Sequence, residues 1–133
     1  MLNNRRLFRG KRTDNGEWEI GCHAAIEEPM DSITLLHYIY KYDGTSNVVY
    51  PSTIGQCTGL KDKNGELVFE GDILKDEYDI LWVVKFCDIY ASFGIDVFQN
   101  KTQLNLAGSA SINAIESMEL FSNIHDYSEL LTE

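Results

Sequence analysis

Asp62, Glu70 and Asp72 gather three carboxylates around one Asn-Gly turn, and acids that close together are the residue type that holds Mg²⁺ or divides general acid and base work. A structural reading competes with the chemical one. Asp62 precedes the turn, where a side-chain oxygen can bind nearby backbone amides; Glu70 points to solvent; Asp72 follows Gly71, a position that suits the same local bonding. No second cluster supplies a nucleophile or base at a recognisable spacing, so the structural reading is preferred and metal binding at Asp62 and Asp72 is the alternative. His23, His37 and His125 are scattered, without H-x-x-x-H or H-E-x-x-H spacing. They read as structural histidines, with a zinc site built around Cys22 or Cys57 as the competing assignment. No nucleophile elbow is present, Gly55 to Gly59 lacks the lysine and hydroxyl of a phosphate loop, and no G-x-G-x-x-G opens a helix. The residues therefore assign no catalytic group, cofactor or metal, and the expectation is a non-enzyme.

Charge narrows the partners. The 133 residues carry a formal charge of −10, which disfavours a surface devoted to a polyphosphate backbone. The distribution is uneven: Arg5, Arg6, Arg9, Lys11 and Arg12 are five of the eleven cations, and no acid precedes Asp14, so residues 1–13 carry +5 and the rest −15. The preferred reading is a solvated or edge strand whose charges discourage stray sheet pairing and balance acidic neighbours. Nucleic-acid contact through those five cations is the alternative. Tyr38, Tyr40, Tyr42, Tyr50, Trp82, Phe86, Tyr90 and Phe93 could form a base-stacking surface, but with few cations around them they fit core packing and a subunit interface better. Cys22, Cys57 and Cys87, odd in number and without a C-x-x-C pair, read as reduced, buried thiols of a cytoplasmic protein. No apolar run long enough to span a bilayer is present.

The elements that must position these residues are mostly strands. Asn15-Gly16 and Asn64-Gly65 each predict a two-residue type I′ hairpin turn with positive φ at both positions. Trp18 and Ile20 alternate with acids and are expected to share a buried face. Ile33 to Tyr42 predicts a strand, with Leu36, Tyr38, Tyr40 and Tyr42 on one face and Leu35, His37 and Ile39 on the other. Leu67 to Phe69, a break at Gly71-Asp72, Ile73-Leu74, Ile80 to Asp88 and Ile89 to Gln99 continue the pattern. Glu27 to Ser32, with Pro29, reads as a connection; Asn100 to Ser111 reads as a loop or a helix start; Ile115 to Ile124 fits both periods and is read as strand. Tyr127 to Leu131 offers one helical turn. The expected fold is mainly β and antiparallel, a partly open SH3-like barrel or roll with a short C-terminal helical turn. It is expected as one domain over 1–133, with an N-terminal hairpin at 5–26, a barrel-like region at 33–124 and the turn at 126–131.

Three blocks, RGKRTDNGEWEIG (Arg9 to Gly21), YPSTIGQCTGLKDKNGELVFEGDIL (Tyr50 to Leu74) and FSNIHDYSELL (Phe121 to Leu131), resemble the YopX family, found largely in phages and prophages of Gram-positive bacteria. The central block is the most specific, and the order and spacing of all three extend the likeness almost end to end. Asn15, Gly16, Gly59, Asp62, Asn64, Gly65, Gly71 and Asp72 are its structural motif positions in this chain. The chain departs from the family at Ser122 to His125 and Tyr127 to Leu130, where the family usually has Gly-Asn-Ile-Tyr and Asn-Pro-Glu-Leu. The resemblance implies an SH3-related, mainly β fold with subunit assembly, and no established activity, cofactor or ligand. The expected function is a phage- or prophage-encoded accessory protein that works through protein contacts in the bacterial cytoplasm, as a homo-oligomer and with a further, host-derived protein partner. A nucleic-acid-binding module is the first alternative and a carboxylate-dependent metal enzyme the second.

Overall fold

The computed structural model describes residues 7–28, 31–89, 91–99 and 109–131. Arg5, Arg6, Pro29, Tyr90 and the 100–108 part of the expected loop lie outside the described residues. The chain forms two compact units, Met1–Cys57 and Thr58–Glu133.

The first unit contains β1 (Phe8–Lys11), β2 (Trp18–Glu28), β3 (Asp31–Tyr40), β4 (Ser46–Val48), a 3₁₀ turn at Pro51–Thr53 and the start of β5 (Gly55–Lys61), which runs through the boundary. These strands pair antiparallel in the order β4-β3-β2-β1-β5. An Arg12↔Val49 bridge then carries the end of β4 back to the end of β1, with Thr13 N–H on Val48 O at 3.0 Å and Tyr50 N–H on Lys11 O at 2.9 Å. The sheet thus curls into a partly open roll. Curling that tightly leaves no room for side chains at two inward positions. A Cβ on Gly10 would sit 2.9 Å from Val49 Cβ, and one on Gly21 would sit 2.4 Å from the backbone oxygen of Tyr40.

Those glycines decide which face turns inward, and they correct one expectation. Gly21 and Glu19 are buried, whereas Ile20 is 46% exposed and Trp18 half-buried. Period two fixes which residues share a face but not which face is covered; the inward set is the one whose small residues permit the curl. Glu19 can be inside because Lys41 Nζ (2.7 Å) and Arg12 Nη1 (3.3 Å) neutralise it.

The second unit holds β6 (Leu67–Phe69), paired with the last part of β5, and an open sheet in the order β10-β9-β8-β7-β11. Its strands are β7 (Asp72–Lys75), β8 (Leu81–Cys87), β9 (Ser92–Gln99), β10 (Ser109–Ser111) and β11 (Glu119–Asn123). Val68, Leu74, Val84, Ile95, Ile115 and Met118 make one buried cluster, and Leu60, Trp82, Phe93 and Leu120 pack around it. At roughly 1.5–3 kcal/mol for each fully buried side chain, this cluster is the main stabilising feature of the unit. The ambiguous 115–124 stretch splits: Ile112–Ser117 is a 3₁₀ helix that delivers Ile115 to the core, and strand begins at Glu119. The mainly antiparallel β fold holds in both units.

The C-terminal helix α1 spans Ile124–Leu131, three residues longer at its start than expected. Asn123 explains the difference. Its Oδ1 accepts the N–H groups of His125 (3.1 Å) and Asp126 (3.0 Å), while its Nδ2 donates to Asp126 Oδ2 at 2.9 Å, a reciprocal cap that needs no proline. Tyr127 then docks edge-on against Phe98, ring centres 5.4 Å apart. None of the three cysteines is in a disulfide; Cys57 is buried, while Cys22 and Cys87 are only half-buried. Among the described residues no helix is long and apolar enough to cross a membrane.

Candidate functional site

The acidic turn is built from main-chain bonding. Asp62 N–H donates to Glu66 O at 2.8 Å and Gly65 N–H to Asp62 O at 3.1 Å, enclosing a three-residue loop with Gly65 at φ 85°. Asn64 has no positive φ, so the two-residue type I′ turn is replaced by a longer loop closed by a left-handed glycine. The cause is Asp62 itself. Its Oδ1 accepts the N–H groups of Asn64 and Glu66, both at 2.9 Å, and a two-residue turn could not present both. The Asn15-Gly16 turn is corrected likewise: Arg12 N–H reaches Glu17 O at 2.9 Å across a four-residue loop, and only Gly16 is left-handed, at φ 73°.

Asp62 Oδ2 accepts Leu120 N–H at 3.0 Å, and Lys63 N–H donates to Met118 O at 2.9 Å, tying the hairpin to β11. Burial pushes the Asp62 carboxyl up, but the N–H groups of Leu120, Glu66 and Asn64, with the charge of Lys63, outweigh it and hold the group below its ordinary range. Asp72 is buried and its Oδ2 accepts Phe69 N–H at 2.7 Å, stapling the corner between β6 and β7. Gly71, at φ 89°, supplies that corner with an N–H to Val84 O and an oxygen to Ile124 N–H, both 2.9 Å. Glu70 is half-buried beside it, and Gly59 sits within β5 at φ 82°. Among the described residues no group of three His, Cys, Asp or Glu side chains is placed to hold a metal ion.

Sequence reasoning missed a second copy of the Asp62 arrangement. Asp76 Oδ1 accepts Tyr78 N–H (2.8 Å) and Ile80 N–H (3.0 Å), its Oδ2 accepts Trp82 Nε1–H (3.0 Å), and Asp79 takes the left-handed position at φ 62°. The available signal was an Asp three residues before a residue tolerant of positive φ, and the absence of glycine at Asp79 hid it.

The described cations of the N-terminal run, Arg9, Lys11 and Arg12, are engaged on the protein's own surface. Arg9 Cζ lies 4.7 Å and Lys11 Nζ 5.6 Å from the centre of the Trp18 ring, on the outward face shared with Ile20. Arg12 makes a two-pronged contact with Asp14, Nη2 to Oδ2 at 2.7 Å and Nε to Oδ1 at 2.9 Å, and its third nitrogen reaches Glu19. Those hydrogen bonds, Asp14 first, raise the Arg12 pKa, and the bond from Lys41 keeps Glu19 ionised below its usual range. The structure also joins two of the scattered histidines: His23 Nε2 and His37 Nδ1 are 2.9 Å apart across β2 and β3. In the second unit, Lys85, Phe86, Cys87, Phe93, Asp96 and Ile112 line a cavity of 570 Å³, where Lys85 pairs with Asp96 at 3.2 Å.

The family model described as YopX protein matches residues 7–132. The chain belongs to the YopX family. That match takes in both units, and within it the three blocks of resemblance become the β1–β2 turn, the β5–β7 corner and the capped α1 helix. No curated protein matches the chain.

Proposed function

We propose that this YopX-family chain is a non-enzymatic protein-interaction module, an accessory protein of phage or prophage origin that acts in the host cytoplasm and associates with itself. The observation that carries the reading is the use of the acids: Asp62 accepts three main-chain N–H groups and Asp72 another, the work of framework residues rather than of reacting ones. Meanwhile each unit exposes large apolar side chains. Ile20, Ile26, Leu35 and Tyr40 do so in the first, and Phe86, Ile89 and Phe121 in the second. The charge of −10 suits a partner with a basic groove, such as a host nucleic-acid enzyme inhibited by charge mimicry.

Two measurements test this. Mass in solution should exceed that of one 15.1 kDa chain, and affinity capture from infected host cells should return a specific protein in stoichiometric amount. A monomer that captures nothing would sink the proposal. A nucleic-acid-binding reading draws on the cations at Arg9, Lys11 and Arg12; it requires retention of short DNA or RNA at low salt that falls steeply as salt is added.

A further inference from the structure

His23 and His37 form a bond whose geometry is unlike packed aromatic rings. The register Ala25↔His37 and His23↔Ile39 sets the two side chains diagonally on the inward face of the first unit. Their planes differ by 7°, their centres are 5.2 Å apart, and Nε2 and Nδ1 are 2.9 Å apart. Rings that are parallel at that centre separation, yet touch through those nitrogens, must have both nitrogens near the line joining the centres. They lie edge to edge in nearly one plane, joined by an N–H···N hydrogen bond.

Such a bond counts protons. With both rings neutral, one donates and the other accepts. One added proton makes an imidazolium that still donates to its neutral partner, and the bond becomes charge-assisted. A second added proton removes the acceptor and leaves two N–H groups and two positive charges facing each other. The bond therefore survives the first added proton and is broken by the second.

The surroundings add little compensation. From β1, uncharged Phe8 tilts against His23 with centres 5.6 Å apart. On the same face, β4 offers Asn47, opposite Ile39, and β5 offers Gln56, opposite Phe8. Among the described side chains, the charged groups on this face are Glu19 and Glu27 of β2 and Lys41, just past β3, and Glu19 and Lys41 are bonded to each other. Burial first, and then the charge of His37, hold His23 below its ordinary 6.5.

The position gives the bond its consequence. β1 flanks β2 only through Gly21, and the chain of β4 flanks β3 from His37 onward, the last bond being Val49 N–H on His37 O at 2.9 Å. Past these points Ala24–Glu27 and Leu35–Leu36 form a two-stranded arm with the histidine pair at its root, carrying Ile26 (57% exposed) on one face and Leu35 (51% exposed) on the other. A two-stranded ribbon is marginal in water, so one cross-strand bond at its root matters.

We propose that the His23–His37 pair is a proton-operated latch that closes the β2–β3 arm while the pair holds at most one added proton, and frees the arm when it takes the second. The device stands apart from the identity of any binding partner. By sign, a histidine held below its free value adds stability that is complete above 6.5 and is lost as pH falls through the lower, folded-state value.

The test is nitrogen NMR on the whole, ¹⁵N-labelled chain. At about pH 8, coupling through the hydrogen bond should connect His23 Nε2 to His37 Nδ1. On acidification the coupling and the amide-exchange protection of residues 22–27 and 35–37 should disappear together, protection falling roughly tenfold per pH unit below the second step. Leu74 and Val84 in the second unit should keep theirs. His37→Gln, which cannot become a second cation, should flatten the response of the arm; His23→Gln should do the same if the first variant folds poorly, and His125→Gln should leave it unchanged. Absence of the coupling at high pH, independent titration of the rings, or an equal acid response in folded His37→Gln would overturn the latch.

Discussion

The two units solve the problem of a small β-sheet body differently. In the second, an apolar cluster from Val68 to Met118 is fully buried, and its hairpins are fixed by carboxylates bonded to main chain. In the first, the buried apolar set is smaller. Ile39 and Val49 sit beside two glycines, an Arg12–Glu19–Lys41 network and a histidine pair. The contrast teaches that the second unit rests on apolar burial with carboxylates bonded to its main chain, whereas the first rests on steric fit and on polar side-chain pairing. Curling a sheet inward on itself removes the volume in which a larger core would sit, and charge pairing and close backbone approach take its place.

The strongest way to break the comparison is Gly21→Val. Its Cβ would fall 2.4 Å from Tyr40 O and 3.1 Å from Ile39 Cγ2. The first of these is backbone, held in the β2–β3 ladder, and cannot turn away as a side-chain end could. The expected cost is about 4 kcal/mol, above the usual range for overpacking because the strand itself must move. Urea unfolding measures it. A loss under about 1 kcal/mol would mean that the curl is soft and that Gly21 does not enforce it.

Next in size is Asp62→Ala in the second unit, which deprives the N–H groups of Asn64, Glu66 and Leu120 of their acceptor. Hydrogen bonds to a charged acceptor are each worth more than neutral ones, and the exposed turn recovers part of the loss from water, so about 3 kcal/mol is expected. Asp62→Asn keeps one acceptor oxygen and should lose about half as much. The pH dependence has a definite sign. The Asp62 carboxyl is depressed in the folded state, so its contribution is complete above the free value of 3.8 and lost as pH falls through the folded one. The acid arm of stability should therefore flatten in Asp62→Ala, and an unchanged acid arm would assign the effect to other carboxylates.

These residues also show how far sequence alone carries. Asp62 and Asp72 were legible as turn-bonding acids because a carboxylate beside an Asn-Gly or after a glycine has few other local uses. The alternation of Leu35, His37 and Ile39 against Leu36, Tyr38 and Tyr40 was legible because period two is set by the backbone. What stayed hidden depended on distance. Leu120 N–H reaches Asp62 Oδ2 from fifty-eight residues away, and the His23–His37 bond requires the β2–β3 register. The inward face of β2 was misassigned because hydrophobicity favours Trp18 and Ile20, while the space that decides the matter belongs to Val49 and Tyr40, residues on other strands.

The smallest effect sharpens the comparison by its sign. Gly94 in β9 lies opposite Lys85 and Ser111, and a Cβ there would meet only Ala110 O at 3.8 Å, an ordinary contact. Its φ lies outside the left-handed region, so alanine fits without strain and restricts the unfolded chain more than glycine does. Gly94→Ala should therefore stabilise by about 0.4–1 kcal/mol, the reverse of Gly21→Val. Both are strand glycines in antiparallel ladders, Gly21 opposite Phe8 and Gly94 between Lys85 and Ser111. If Gly94→Ala also destabilises, glycine would be needed for strand geometry in general; if it stabilises, the requirement at Gly21 belongs to the curl of the first unit alone.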